Sequence, residues 1–154
     1  SKAYSMTGWR LGWSFWPEKL IEHVNKLLIN SVSCVNAAAQ FAGIAALDGS
    51  DDSINQMMNK FTIRRKLIHE GLNNLPGVEC SLPGGAFYAF PKIENSTYNS
   101  DKDFVLELLK QKGVLNVHGS GFGAQYGSGH FRIVYLPNME ILESSMDKIE
   151  DFVR

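Results

Sequence analysis

An α+β architecture behind a helix-rich front is the fold class that this sequence predicts, and three observations carry it. Beyond Pro76, short apolar runs bounded by proline and glycine alternate with amphipathic stretches in the order strand, strand, helix, strand, strand, helix. Ahead of that point the periodicity is almost all helical and leaves too few strands to complete a sheet. Between the two, Ile54, Met58, Phe61, Arg65, Ile68, Leu72 and Leu75 recur at four- and three-residue steps, which requires one long helix. Residues 1–50 are therefore expected to be part of a domain whose remainder is absent. Residues 51–76 form a long connecting helix, and 77–154 a small α+β domain with its own core.

Each element has a local reason. Gly12-Trp13-Ser14-Phe15-Trp16 is aromatic and strand-like, and Pro17-Glu18 then suits the first turn of a helix. Leu20, Ile21, Val24, Leu27 and Leu28 share one face of that helix. A second helix is expected from about Asn36 to Leu47, small-faced nearly all round and ended by Asp48-Gly49-Ser50. Ser53 and Gln56 have capping-box spacing at the start of the long helix, and Pro76-Gly77 stops it. Val78 to Ser81 and Ala86 to Pro91 read as short strands joined across Pro83-Gly84-Gly85. Asp101 to Lys112 is an amphipathic helix with Phe104, Val105, Leu108 and Leu109 inward. Val114 to Val117 and His130 to Leu136 are the last two strands. Pro137-Asn138 introduces a final helix with Leu142, Met146, Ile149 and Val153 on its core face.

Composition narrows the function classes. The 154 residues carry 15 basic and 16 acidic side chains, a net charge of −1, so no bulk field recruits nucleic acid or an anionic membrane. The one basic run, Arg64-Arg65-Lys66, falls within the long helix. Cys34 and Cys80 make no disulfide framework and no CxxC, which favours a reduced, cytoplasmic setting. No signal peptide opens the chain, and no apolar run approaches the ~18 residues of a membrane span. Asn95-Ser96-Thr97 formally fits a glycosylation site, though a surface loop is the better account. His23, His69, His118 and His130 show no ligand spacing, so no metal site is expected. Gly119-Ser120-Gly121-Phe122-Gly123-Ala124 formally fits a dinucleotide fingerprint. That motif must open a helix, and here Gln125 to Gly129 continues as loop into a strand, so the dinucleotide reading is rejected.

The chemistry concentrates at the front, in Ser1-Lys2-Ala3-Tyr4-Ser5-Met6-Thr7-Gly8-Trp9-Arg10-Leu11-Gly12. A lysine amine freed of its proton attacks carbonyls to form an imine, and a nearby cation or desolvation favours that form. Arg10 lies eight residues on, across a turn containing Gly8, and its permanent planar fork matches phosphate oxygens. The combination is what pyridoxal 5′-phosphate requires.

This stretch resembles the cofactor-attachment segment of the fold-type I aminotransferases of class I/II: Ser-Lys, three variable residues, a Met-like residue, then Gly-x-Arg-(apolar)-Gly. The likeness runs through nearly all of the chain. It includes Asn36-Ala37-Ala38-Ala39-Gln40, Pro83-Gly84-Gly85-Ala86-Phe87-Tyr88, and Val114 to Gly123, where the family usually has proline in place of His118. The resemblance implies an α/β parent fold. Of this the chain carries a helix-rich remnant of the large cofactor domain and the α+β small C-terminal domain. It implies Lys2 as the Schiff-base lysine and proton shuttle, and Arg10 on the cofactor phosphate. Arg132, in His130-Phe131-Arg132-Ile133-Val134-Tyr135, would hold the substrate carboxylate. The strand alternation fits that role and an outward-facing arginine equally. The family's upstream phosphate serine precedes the lysine, and Ser1 is not assigned to it.

The function expected of the parent enzyme is transamination between an α-amino acid and a 2-oxo acid, in a cytoplasmic homodimer. The tail from His118 to Pro137 looks closest to alanine- and aspartate-type members. Three alternatives stand beside it. The aspartate facing the pyridine nitrogen and the ring-stacking aromatic precede the lysine in the family, so this chain is readable as a non-catalytic fragment. It is readable also as a sensing module of a transcription regulator, or as part of a related lyase.

Overall fold

The computed structural model describes residues 1–94 and 97–154, and the chain divides into two compact units, Ser1–Gln56 and Met57–Arg154. Asn95 and Ser96, which open the glycosylation-type sequence, lie outside the described residues.

In the first unit the chain passes through a short 3₁₀ turn, Thr7–Trp9, and then two helices, α1 (Glu18–Val32) and α2 (Ala37–Asp48). Pro17 stands at the N-cap of α1, one position ahead of the first turn expected for it, and Glu18 opens the helix. The Asn36 side chain caps α2 by accepting the Ala39 N–H at 3.2 Å. The strand expected at Gly12–Trp16 does not form. A strand is stabilised by a ladder partner, and among the described residues this unit contains no strand for it to pair with. Phe15 is accordingly 93% exposed, with Trp13 and Trp16 also in contact with solvent. The tightest packing here is glycine-made. Leu11 sits against Gly43 of α2 so closely that a Cβ there would overlap the leucine side chain.

The third helix, α3 (Asp52–Asn73), spans 22 residues, and the division between the units falls inside it. Its predicted stripe is buried only toward the C-terminal end, at Ile68 and Leu72, with Leu75 just beyond. Arg65, the polar member of the stripe, is half-buried and donates from Nη1 to the Pro83 carbonyl at 3.2 Å. Arg64 donates to the Leu136 carbonyl at 2.6 Å. The two arginines tie this helix to two separate loops of the second unit.

The second unit builds its layers from α3, α4 (Asp101–Lys112) and α6 (Met139–Val153), with a short helix α5 (Ala124–Gly127). Its strands are β1 (Val78–Glu79), β2 (Tyr88–Ala89), β3 (Lys92–Ile93), β4 (Val117–His118) and β5 (Phe131–Val134). The pairing differs from a hairpin across Pro83-Gly84-Gly85. β1 pairs antiparallel with β3, and β2 with β5. Gly77, at φ 70°, turns the chain so that its carbonyl takes the Glu94 N–H at 2.6 Å, which draws β1 to β3. β5 is the central strand of a three-stranded sheet, β2-β5-β4, in register Tyr88↔Val134 and Val117↔Arg132.

The core lies beneath that sheet. Phe131, Ile133 and Tyr135 point inward from β5 and its end, against Phe104, Val105 and Leu108 of α4 and Leu142, Met146 and Ile149 of α6. Leu109, expected inside, is exposed, and Val153, also expected inside, is only partly covered. Ser100 caps α4 by accepting the Asp103 N–H, and Asn138 caps α6 by accepting the Ile141 N–H, both at 3.0 Å. Gly113 closes α4 in the left-handed conformation at φ 70°. Cys34 is exposed and Cys80 buried, and both are free. No helix among the described residues is long and apolar enough to cross a membrane.

Candidate active site

Lys2 opens a tight turn. The Met6 N–H donates to the Ser1 carbonyl at 2.8 Å and the Ser5 N–H to the Lys2 carbonyl at 3.1 Å. Ser5 and Arg10 both adopt the left-handed conformation, at φ 53°, one on each side of the Thr7–Trp9 turn. Neither is glycine, so each costs about 1 kcal/mol or more of local strain, the kind of cost that clusters at functional sites. The Lys2 and Arg10 side chains are exposed. Arg10 donates from Nη1 to the Thr7 carbonyl at 3.4 Å, a long bond that leaves the rest of its fork available. A cavity of ≈ 440 Å³ beside this turn is lined by Ser5, Gly8, Trp9, Asn36, Ala38 and Ala39. Asn36 is the N-cap of α2 and Ala38 and Ala39 lie in its first turn, so the cavity meets the start of that helix, where the Asn36 side chain already takes the Ala39 amide.

Arg132 belongs to the second unit. It projects from the face of β5 opposite Phe131 and Ile133, as the alternation predicts. What alternation could not show is its clamp. The guanidinium carbon lies 4.8 Å from the centre of the Tyr88 ring and 4.4 Å from that of Phe122, two rings contributed by different elements. Its Nε is buried and makes no hydrogen bond among the described residues. Tyr88 pairs with Val134, which places it diagonally beside Arg132 on the same sheet face. Phe122 comes from the glycine-rich stretch, which folds as a 3₁₀ turn, Gly119–Phe122, followed by the four-residue α5.

His118 caps that 3₁₀ turn. Its Nδ1 accepts the Gly121 N–H at 3.1 Å and lies 3.0 Å from the Ser120 hydroxyl. The Ser120 N–H donates to Asp101 Oδ2 at 2.7 Å. Burial pushes the Asp101 carboxyl up. The Ser120 amide and hydroxyl, with a smaller contribution from His118, outweigh that and hold it below the ordinary carboxylate range. A carboxyl depressed on folding stabilises the fold above its unfolded value, and that stability is lost as pH falls through the folded value. The urea midpoint of the wild-type chain is therefore expected to fall below about pH 4 more steeply than that of Asp101→Asn. Parallel profiles for the two chains would contradict the assignment.

Lys2 and Arg10 thus share one turn of the first unit, and Arg132 stands in the second. Sequence reading missed Tyr88 and Phe122 as partners of Arg132, and Asp101 and His118 as supports of the turn. A large aromatic inside a glycine-rich loop was the one available signal.

A model of the family "Aminotransferase class I and II" matches residues 1–148. The aspartate aminotransferase of Geobacillus stearothermophilus is 35% identical over 157 residues, covering 99% of this chain and 39% of that protein. Among solved structures, the alanine aminotransferase of Pyrococcus furiosus shares 47% identity and superposes with a TM-score of 0.91, over 99% of this chain and 40% of that one. The aromatic aminotransferase of Pyrococcus horikoshii OT3 also gives a TM-score of 0.91, at 35% identity, with 99% and 40% covered. The chain spans about 40% of the length of the relatives it matches. Its lysine-arginine turn, its Pro-Gly-Gly-Ala-Phe-Tyr segment and its Arg132 strand all fall within the matched residues, and the chain belongs to the class I and II aminotransferases.

Proposed function

We propose that the complete protein exchanges the amino group of an α-amino acid with a 2-oxo acid, with pyridoxal 5′-phosphate as cofactor. The observation that carries the reading is the half-buried Arg132, gripped by the Tyr88 and Phe122 rings with its Nε left unpaired. An α-carboxylate is common to amino acids and 2-oxo acids, and an arginine held in plane by two rings receives it in one orientation. The donor set at the front supports the cofactor half: one exposed amine and one guanidinium that makes a long bond, the one it has among the described residues. Family membership supports both.

When bound, pyridoxal phosphate supplies the electron sink that acidifies the substrate α-hydrogen. Lys2 holds the cofactor and moves the proton at the substrate α-carbon. Arg10 fixes the phosphate, and Arg132 fixes the carboxylate so that the α-carbon is presented in one pose. Alanine and aspartate are the first substrates to try, since relatives bear those names. A cytoplasmic homodimer with no nucleic-acid or membrane partner completes the proposal. Residues 1–50 as large-domain sequence, 51–76 as the connecting helix and 77–154 as the small domain belong to it too.

In the complete protein, Lys2→Ala is expected to lower transamination of alanine or aspartate with 2-oxoglutarate by about 10²–10⁴-fold. Turnover that survives this substitution would end the reading. The 154-residue chain by itself, at about 40% of the relatives' length, is expected to bind pyridoxal phosphate weakly and to turn nothing over. A tight, saturable visible absorbance that depends on Lys2 would refute that.

A further inference from the structure

We infer that Asp101, on the first turn of α4, is a positioning residue for Arg132 and acts through the Gly119–Phe122 turn. The inference rests on Arg132 as the carboxylate holder and concerns what keeps its guanidinium in place. Of the two rings in the clamp, Tyr88 is fixed by the β2–β5 ladder. Phe122 has no ladder, and at 53% exposed it is not fixed by burial either. Among the described residues its one aromatic neighbour is Phe90, edge-on at 6.0 Å.

The hydrogen bonds of the turn decide its position. Two of them are local: Gly121 N–H to His118 Nδ1, and Gly123 N–H to the Ser120 carbonyl at 3.2 Å. His118 stands on the β4–β5 ladder opposite Phe131, and the Gly119 N–H donates to the His130 carbonyl at 2.8 Å, so the start of the turn is pinned to the sheet. The Ser120 N–H to Asp101 bond adds a second anchor nearer the ring, tying the turn across 19 residues to α4, a helix packed in the core. It is short, at 2.7 Å, and its acceptor is a carboxylate oxygen, the class of acceptor that makes stronger bonds than a neutral one. Asp101 is only 8% exposed, and among the described residues its one ion-pair neighbour is His118, at 3.9 Å. A buried carboxylate with no permanent cation beside it is costly unless it holds donors in place. Here the donor it holds lies two residues before the ring on Arg132.

The test uses the ¹⁵N-labelled 154-residue chain and the Nε–Hε resonance of Arg132, identified by its loss in Arg132→Lys. Between two ring faces that resonance is displaced upfield. Asp101→Ala is expected to return it toward the ordinary arginine position. The same change should weaken binding of 2-oxoglutarate, read from the resonance, by roughly three- to fivefold. Asp101→Asn keeps an oxygen that accepts the Ser120 amide and should restore most of both. Phe122→Ala removes the half-exposed ring directly and should displace the resonance alike, with no further change when Asp101→Ala is added. If Asp101→Ala unfolds the chain, Asp101→Ser takes its place, because its hydroxyl is too short to reach Ser120. The inference is overturned if Phe122→Ala moves the resonance while the Asp101 variants leave it at the wild-type position. A wild-type resonance that ignores 2-oxoglutarate both in this chain and in the complete protein would instead remove Arg132 as carboxylate holder, and the Asp101 variants would still decide the positioning by the resonance alone.

Discussion

Phe131→Ala is expected to destabilise the second unit by about 3–5 kcal/mol, measured by denaturant unfolding. Phe131 is 0% exposed and lies on the central strand, its ring 5.2 Å from that of Phe104. Phe104 in turn meets Tyr98 and Phe152, so the truncation opens a gap in a chain of four aromatic rings rather than at one contact. Both neighbouring strands register against β5, with His118 opposite Phe131 and Ala89 opposite Ile133. These neighbours cannot collapse into the gap without shearing the ladder, which places the cost at the upper end of the range for core truncations. Against a typical total of about 5–15 kcal/mol, that loss is between about a fifth and the whole of the stability. A loss under about 1 kcal/mol would mean that the ring is not where the packing puts it.

The second large effect is expected at a position with no side chain at all. Gly127 closes α5, and its Cα faces the backbone of Gly119, so an added Cβ would overlap the Gly119 carbonyl group. The atoms it meets are backbone, which cannot rotate away. Gly119 is equally confined, by the Gly127 carbonyl and by His130. Gly127→Ala must therefore push the 3₁₀ turn off α5, at about 1–3 kcal/mol, and carry Phe122 away from Arg132. Gly113 is the comparison. Its positive φ makes alanine strained, but nothing lies within 4 Å, so Gly113→Ala should cost about 1 kcal/mol and leave the turn untouched. Thermal melts of the two variants, with the Arg132 resonance as a local reporter, separate them. Equal effects on that resonance would contradict the close approach.

Much of this was legible from the residues in order. The helix ends are local chemistry: Asn36, Ser100 and Asn138 each satisfy an amide three residues on, and Pro17 or Gly113 marks a boundary by its own geometry. The core faces of α4 and α6 follow from spacing, because a helix fixes which residues share a side. The Lys2–Arg10 motif is compact enough to be read within twelve residues. The misjudged elements are those whose formation depends on a partner elsewhere. Gly12–Trp16 has strand-like residues and no ladder to join, and β3 is two residues with no apolar pattern of its own, made a strand by β1.

The site divides along the same line. The sequence by itself carried the family resemblance, a lysine and an arginine within one short motif at the front, and Arg132 as the polar member of an inward-outward strand. These are properties of residue type and spacing, and they do not depend on what lies nearby. Only the tertiary structure decided that Arg132 is held between Tyr88 and Phe122, and that Phe122 is steadied from α4 by Asp101. A stacked guanidinium and a buried carboxylate are fixed by groups 10 to 44 positions away in the sequence. Such groups come within hydrogen-bonding or ring-contact distance only once the sheet has chosen its register and two glycines have let a turn settle against its neighbour.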